Sequence, residues 1–183
     1  LKFYKEAEPN AAKLVKIAKD RVTALELYGA ALLGTKKFPQ AIQQFNAVLG
    51  IEAKNCNAML NIATANQELE KWDDVLTWAA KASKCDPKND MPHSQMSLAH
   101  NKKKDWNKAI AAADKALSLK GNNRYALEMK KLAQKGIEAD AQNKAVEDDA
   151  ARVAREKAAE EAALKADEER RKKYEAATGG GGG

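Results

Sequence analysis

The chain has 183 residues, 44% hydrophobic and 32% charged, with a formal net charge of +6. That is long enough for one domain with a sizeable core. The abundance of Ala, Lys, Glu and Leu, with few β-branched residues, favours helix throughout. No apolar run nears the roughly 18 residues of a membrane span, and the opening "LKFYKEAEPN" lacks the apolar core of a signal peptide. With no initiator Met, the sequence is expected to be a fragment. Cys56 and Cys85 are expected to be free thiols in the cytoplasm.

Residues 1–21 are expected to be a leader helix or the remnant of an upstream segment. Helix is predicted over Ala11 to Asp20, because Pro9 should interrupt anything longer. From Val22 the sequence falls into rows of 34, namely 22–55, 56–89 and 90–123. The seventeenth column holds Phe38, Trp72 and Trp106, and the twentieth Ala41, Val75 and Ala109. Phe45, Ala79 and Ala113 fill the twenty-fourth, and Val48, Ala82 and Ala116 the twenty-seventh. These columns form one face of a helix. Earlier columns repeat as well: Leu25 and Tyr28, Met59 and Ile62, His93 and Met96. The turns "GTKKFP", "LEKWDD" and "KKKDWN" divide each row into helix, turn, helix. Asp73 and Asp105 are expected to cap the second helices, and Pro39 suits a first turn. Tyr4, Ala7, Ala11 and Leu14 fall in the second-helix columns of an earlier row.

A capping helix is predicted over 124–138, opened by Asn122 or Asn123, and a charged helical extension over 139–178. Unbroken, the helix from Arg124 would run roughly 80 Å at 1.5 Å per residue. Acid-first pairs such as Asp148–Arg152, Glu161–Lys165, Glu168–Lys172 and Glu169–Lys173 would support it. Val146, Val153 and Leu164 do not sustain a heptad. The extension is either a solvated helix or a contact for a partner or second copy. The glycines at 179–183 read as a tail or linker.

Residues 22 to 135 resemble tetratricopeptide repeats. Gly29, Ala41, Phe45, Pro87 and Ala109 match the pattern W-x2-L-G-x2-Y…A-x3-F…P. The fold this implies is an all-α, tetratricopeptide-type α-α superhelix of three helix-turn-helix repeats with a long C-terminal capping helix. The stretch "NAMLNIATANQELEKWDDVLTWAAKASKCDPKN" is similar to the second repeat in the co-chaperone domains of large immunophilins. The resemblance implies a protein partner, with a cytosolic chaperone tail ending Glu-Glu-Val-Asp as one candidate. It places that family's clamp residues at Glu26, Ala30, Asn61, Met91 and Gln95. Only Asn61 agrees, and the missing cations leave the carboxylates without donors. The expectation is therefore that no standard carboxylate clamp operates.

The first helix of each row should line the concave wall. Its candidate binding residues are Glu26, Ala30 and Leu33, then Asn57, Leu60, Asn61, Thr64 and Gln67, then Met91, Ser94, Gln95 and Leu98. Thr23, Leu27 and Asn101 share these columns. Amides suit an extended backbone, and Leu and Met accept apolar side chains. A second surface is expected at the turns, where Lys36, Lys37, Lys71, Lys102, Lys103 and Lys104 would form a basic rim. Residues before Ala139 carry 23 Lys and Arg against 15 Asp and Glu.

No catalytic constellation or Gly-rich phosphate loop is present, so no enzyme activity, cofactor or metal site is expected. His93 and His100 lie too far apart on one helix to share a metal. The leading reading is a non-catalytic adaptor or co-chaperone-like scaffold holding a peptide or helix. One alternative is a ribosome-, RNA- or anionic-surface-associated factor using the rim, without sequence-specific reading. Another is the repeat module of a peptidyl-prolyl isomerase whose catalytic domain is elsewhere.

Overall fold

A computed structural model describes residues 2–18 and 20–178. Leu1, Lys19 and the expected glycine tail at 179–183 lie outside the described residues. Among the described residues, all regular structure is helical: α1 (Lys2–Ile17), α2 (Arg21–Gly34), α3 (Phe38–Ile51), α4 (Cys56–Glu68), α5 (Trp72–Cys85), α6 (Met91–Lys102), α7 (Trp106–Leu119) and α8 (Arg124–Thr178). The chain divides into two compact units, 1–137 and 138–183.

In the first unit, α2 packs on α3, α4 on α5 and α6 on α7. Helix α3 then meets α4 and α5 meets α6, and the first helices α2, α4 and α6 touch in succession. Phe38, Trp72 and Trp106 open the second helices. The indole of Trp106 lies on Gly136, leaving no room for a Cβ there. Lys102 Nζ sits 5.7 Å from the centre of Trp72. Tyr4 lies on Gly34 in the same way. Gly34, Lys102 and Gly136 occupy one column, and so do Tyr4, Trp72 and Trp106. These rings are therefore equivalent wedges between neighbouring repeats, with Tyr4 the wedge of an earlier row.

Packing explains the small residues. Phe45 is fully buried, and a Cβ on Gly29 would stand 2.8 Å from its ring. In the same two columns, rows two and three hold Ala63 with Ala79 and Ser97 with Ala113, all buried. One glycine thus accommodates the one large ring. Leu25, Leu32, Ala41, Phe45, Val48, Ala58 and Ile62 form a core cluster.

The helix ends follow local chemistry. Asp20 accepts from the Val22 and Thr23 amides, Asn55 from Ala58 and Asn123 from Ala126, so side-chain caps open α2, α4 and α8. The first helices α2, α4 and α6 end with Lys36, Glu70 and Lys104 at φ of 63°, 56° and 59°. The Lys37, Lys71 and Asp105 amides then reach back to Leu32, Asn66 and His100 carbonyls. This is the Schellman closure, here made three times without glycine.

Several expectations need correction. Helix α1 runs straight through Pro9. A lost hydrogen bond there is offset by docking: Glu8 accepts from Lys37 Nζ (2.6 Å) and Thr35 Oγ1 (2.8 Å), and Tyr4 covers Gly34. Asp73 does not cap α5 but lies inside its first turn, where it pairs with Lys103. Asp105 stands at the start of α7 without a side-chain cap and takes His100 Nδ1 at 3.3 Å instead. Cys56 and Cys85 are joined in a disulfide, with Cα atoms 5.5 Å apart, and are not free thiols. They are the first residue of α4 and the last of α5, and an antiparallel hairpin brings its open end together. Counting cysteines could not show that.

In the second unit, residues 138–178 continue the helical run of α8 and are exposed where described. Arg152 pairs with Asp149 (2.5 Å) and Glu156 (2.8 Å) rather than with Asp148, and Arg171 with Asp167 (3.3 Å).

Candidate functional site

Two open grooves, both inside the first unit, lie along the first-helix wall. One, of about 530 Å³, is lined by Thr64 and Gln67 of α4, by Asp90 before α6 and Met91, Ser94 and Gln95 on it, and by Lys120, Asn122, Asn123, Arg124 and Tyr125 at the α7–α8 turn. Its polar floor is tied together. Asn123 Nδ2 donates to Asp90 Oδ2 (2.6 Å) and Ser94 Oγ (2.8 Å) while its Oδ1 caps α8. Gln95 Nε2 donates to Thr64 Oγ1 (2.8 Å), linking two successive first helices. Gln95 Oε1 is buried and has no donor among the described residues. Met91 and Tyr125 are exposed apolar walls, and exposed Lys120 and Arg124 add positive charge at the lip. Burial, and then the Glu68 carboxylate, push the Tyr125 hydroxyl upward, keeping it a neutral donor.

Thr64, Gln67, Met91, Ser94 and Gln95, predicted from their columns, thus come together here. The other candidates do not join them. Ala30 lines a second groove against α1, about 520 Å³ in volume. Leu33 packs against the core cluster, and Glu26 accepts from Asn55 Nδ2 at 2.9 Å. Leu60, Asn61 and Leu98 are half-buried along the wall, while Asn57 is exposed. Asn101 is structural: buried, it donates to the Ser97 and Met129 carbonyls. Asp90, Lys120, Asn122, Asn123, Arg124 and Tyr125 were missed. Asp90 opens the third hairpin and the others follow it, and only the fold wraps "GNNRY" back onto α6.

The rim is less positive than its lysines imply. Lys37 pairs with Glu8, Lys103 with Asp73, and Lys102 covers Trp72. Glu70, Asp73 and Asp74 border Lys71 and Lys103 in the same surface hollow. Ion pairing removes much of the field that a polyanion would need. His93 is half-buried, and burial followed by the charge of Lys115 pushes its imidazole below the usual range.

No family model and no curated protein matches the chain. Solved structures do. The Sgt2 TPR domain from Aspergillus fumigatus is 22% identical with a TM-score of 0.64, covering 68% of this chain and 83% of that one. The first TPR of Spaghetti (RPAP3), bound to the HSP90 peptide SRMEEVD, is 20% identical with a TM-score of 0.59, covering 62% and 91%. YrrB, described as a TPR protein with an unusual peptide-binding site, is 18% identical with a TM-score of 0.65, covering 71% and 67%. Together with the 34-residue period and the equivalent wedge rings, these likenesses show that the chain has the tetratricopeptide-repeat fold.

Proposed function

We propose that this chain is a non-catalytic protein-interaction module that holds an extended peptide across α4, α6 and the start of α8. The observation that carries this reading is the groove in which Thr64, Gln67, Met91, Ser94 and Gln95 converge. An extended peptide alternates backbone donors and acceptors with side chains. Gln95 Oε1 supplies an unfilled acceptor, Met91 and Tyr125 supply apolar contact, and Arg124 and Lys120 supply cations for an acidic group. The bound peptide of the Spaghetti structure and the unusual site of YrrB support a peptide ligand in general.

Recognition differs from the standard clamp, because Glu26 and Ala30 stand where its first-row donors would be. The cations lie instead beyond the third hairpin. A chaperone remains a candidate partner only through that altered geometry, and the immunophilin likeness rests on the sequence alone. The compartment is open to a direct check: a cytoplasmic protein would hold Cys56 and Cys85 as thiols, an exported one as the disulfide.

The test is fluorescence anisotropy against a panel of extended peptides that includes SRMEEVD. The expected result is a micromolar binder, weakened at least tenfold by Met91→Glu and by Arg124→Glu. Failure of every peptide, or tight SRMEEVD binding lost on Asn61→Ala, would overturn it.

A further inference from the structure

The middle hairpin carries a chemistry that its neighbours in the stack lack. Where it has Cys56, the other rows have Val22 and Asp90, and where it has Cys85 they have Ile51 and Leu119. Repeat packing therefore places no demand for sulfur in either column. The bridge joins the first residue of α4 to the last residue of α5, and both cysteines are half-buried, within reach of a small molecule.

Its two sulfurs stand at opposite ends of a helix field. Cys56 lies in the first turn of a 13-residue helix, where amides have no carbonyl of their own helix to bond. These amides and the helix dipole stabilise a thiolate there. Cys85 lies at the negative end of α5, followed by Asp86. The Lys54 carbonyl oxygen is 3.2 Å from Cys85 Sγ and 3.6 Å from Cys56 Sγ. A carbonyl at that place repels a thiolate and accepts an S–H. Both effects send the electron pair to Cys56 and leave the proton at Cys85.

Charge selects the side of attack. Exposed Lys84 and Lys88 flank Cys85, exposed Lys54 belongs to the turn that touches it, and the Asp86 carboxylate is occupied by the Lys88 amide at 3.2 Å. On the Cys56 side, Glu26 and Glu52 both accept from Asn55 Nδ2, at 2.9 and 3.0 Å. They turn an anion away from Cys56. They also oppose a thiolate there, but the first-turn amides belong to Cys56 and Asn57 themselves and act at shorter range.

We propose that this bridge is a reversible modification site for a small anionic thiol of the glutathione class. The thiolate of that molecule attacks Cys85 Sγ, a new S–S bond forms there, and the Cys56–Cys85 bond breaks with its electron pair going to Cys56 Sγ. In the reverse step the Cys56 thiolate attacks Cys85 Sγ and expels the small thiolate. No net oxidation occurs in either direction. The hairpin outlasts the opening, because Ile62 and Ala63 of α4 and Val75 and Ala79 of α5 are fully buried without help from the bridge. Cys56 thus stays beside Cys85 as the resolving thiol. This inference is independent of the peptide groove at α4 and α6.

The test exposes the bridged full chain to glutathione, quenches rapidly with N-ethylmaleimide and maps both cysteines by peptide mass spectrometry. Glutathione on Cys85 with maleimide on Cys56 is expected to exceed the opposite pattern by roughly tenfold. An intact bridge, equal patterns or glutathione mainly on Cys56 overturns the proposal. In Cys56→Ser, treated with oxidised glutathione, the adduct on Cys85 should persist after the small molecules are removed, whereas the parent adduct should be lost by reclosure. Equal lifetimes overturn the resolving role. At low salt, 2-mercaptoethanesulfonate should open the bridge several-fold faster than neutral 2-mercaptoethanol, and Lys84→Glu with Lys88→Glu should abolish that preference. Equal rates in the parent overturn the assignment to an anionic thiol.

Discussion

The first and the last wedge described obey the same packing rule in different surroundings. At α1 the wedge ring Tyr4 rests on Gly34, and at α7 the ring Trp106 rests on Gly136. Beyond Trp106 the opening of α8 turns lysines and a glutamine outward, and Lys130 is further tied to Asp114 at 2.7 Å. On α1, Tyr4 and Leu14 are exposed at 41% and 37%, while Ala11 is buried. In a stack where each helix touches only its neighbours, the residue types in the outward columns set whether a face is polar or apolar.

Three measurements would break or sharpen this contrast. The largest effect is expected at the wedges. Trp106→Ala removes an indole packed between α7 and α8 and should cost about 3–5 kcal/mol in urea unfolding. Tyr4→Ala, at the partly exposed wedge, should cost about 1–2 kcal/mol, because less surface is removed from water in the first place. Equal costs would mean that the two wedges are equivalent. Next, Lys130→Leu combined with Gln134→Leu should turn the polar face apolar. Concentration-dependent sedimentation is expected to show self-association at least tenfold stronger than in the parent chain. An unchanged profile would mean that these polar columns do not guard that face. The smallest effect concerns the Glu8–Lys37 pair. Hydrogen bonds from Lys37 and Thr35 hold the Glu8 carboxyl below the usual range. Its contribution is therefore present above about pH 4.3 and is lost as pH falls through the lowered value. Hydrogen exchange in α1 should quicken at low pH, and Lys37→Met should reduce that pH dependence, leaving the part due to Thr35. The pair is partly exposed, so its worth is under about 1 kcal/mol.

The repeat was legible because packing recurs. Phe38, Trp72 and Trp106 carry the period openly, and Gly29 matches the repeat pattern. Contacts between elements were not legible. Pro9 looked like a breaker because the compensating partners of α1, Lys37 and Thr35, lie a full hairpin away. The cysteine pair was hidden for a similar reason, since only the antiparallel turn of α4 on α5 makes Cys56 and Cys85 neighbours. At the groove, column arithmetic found the α4 and α6 side but treated every first-helix residue alike. Leu33 and Asn101 are consumed by internal packing, while Arg124 and Tyr125 enter from a helix counted only as a cap.

The crosslink of the middle hairpin has a mechanical consequence. Cys56 and Cys85 are 29 residues apart along the chain but joined across a single bridge. Under tension from both termini, the outer helices can pay out their full contour. The bridged segment cannot, and it withholds about 100 Å of extension at 3.3–3.6 Å per residue. A molecule stretched between two anchors would keep a central knot of folded length until a reductant reached it.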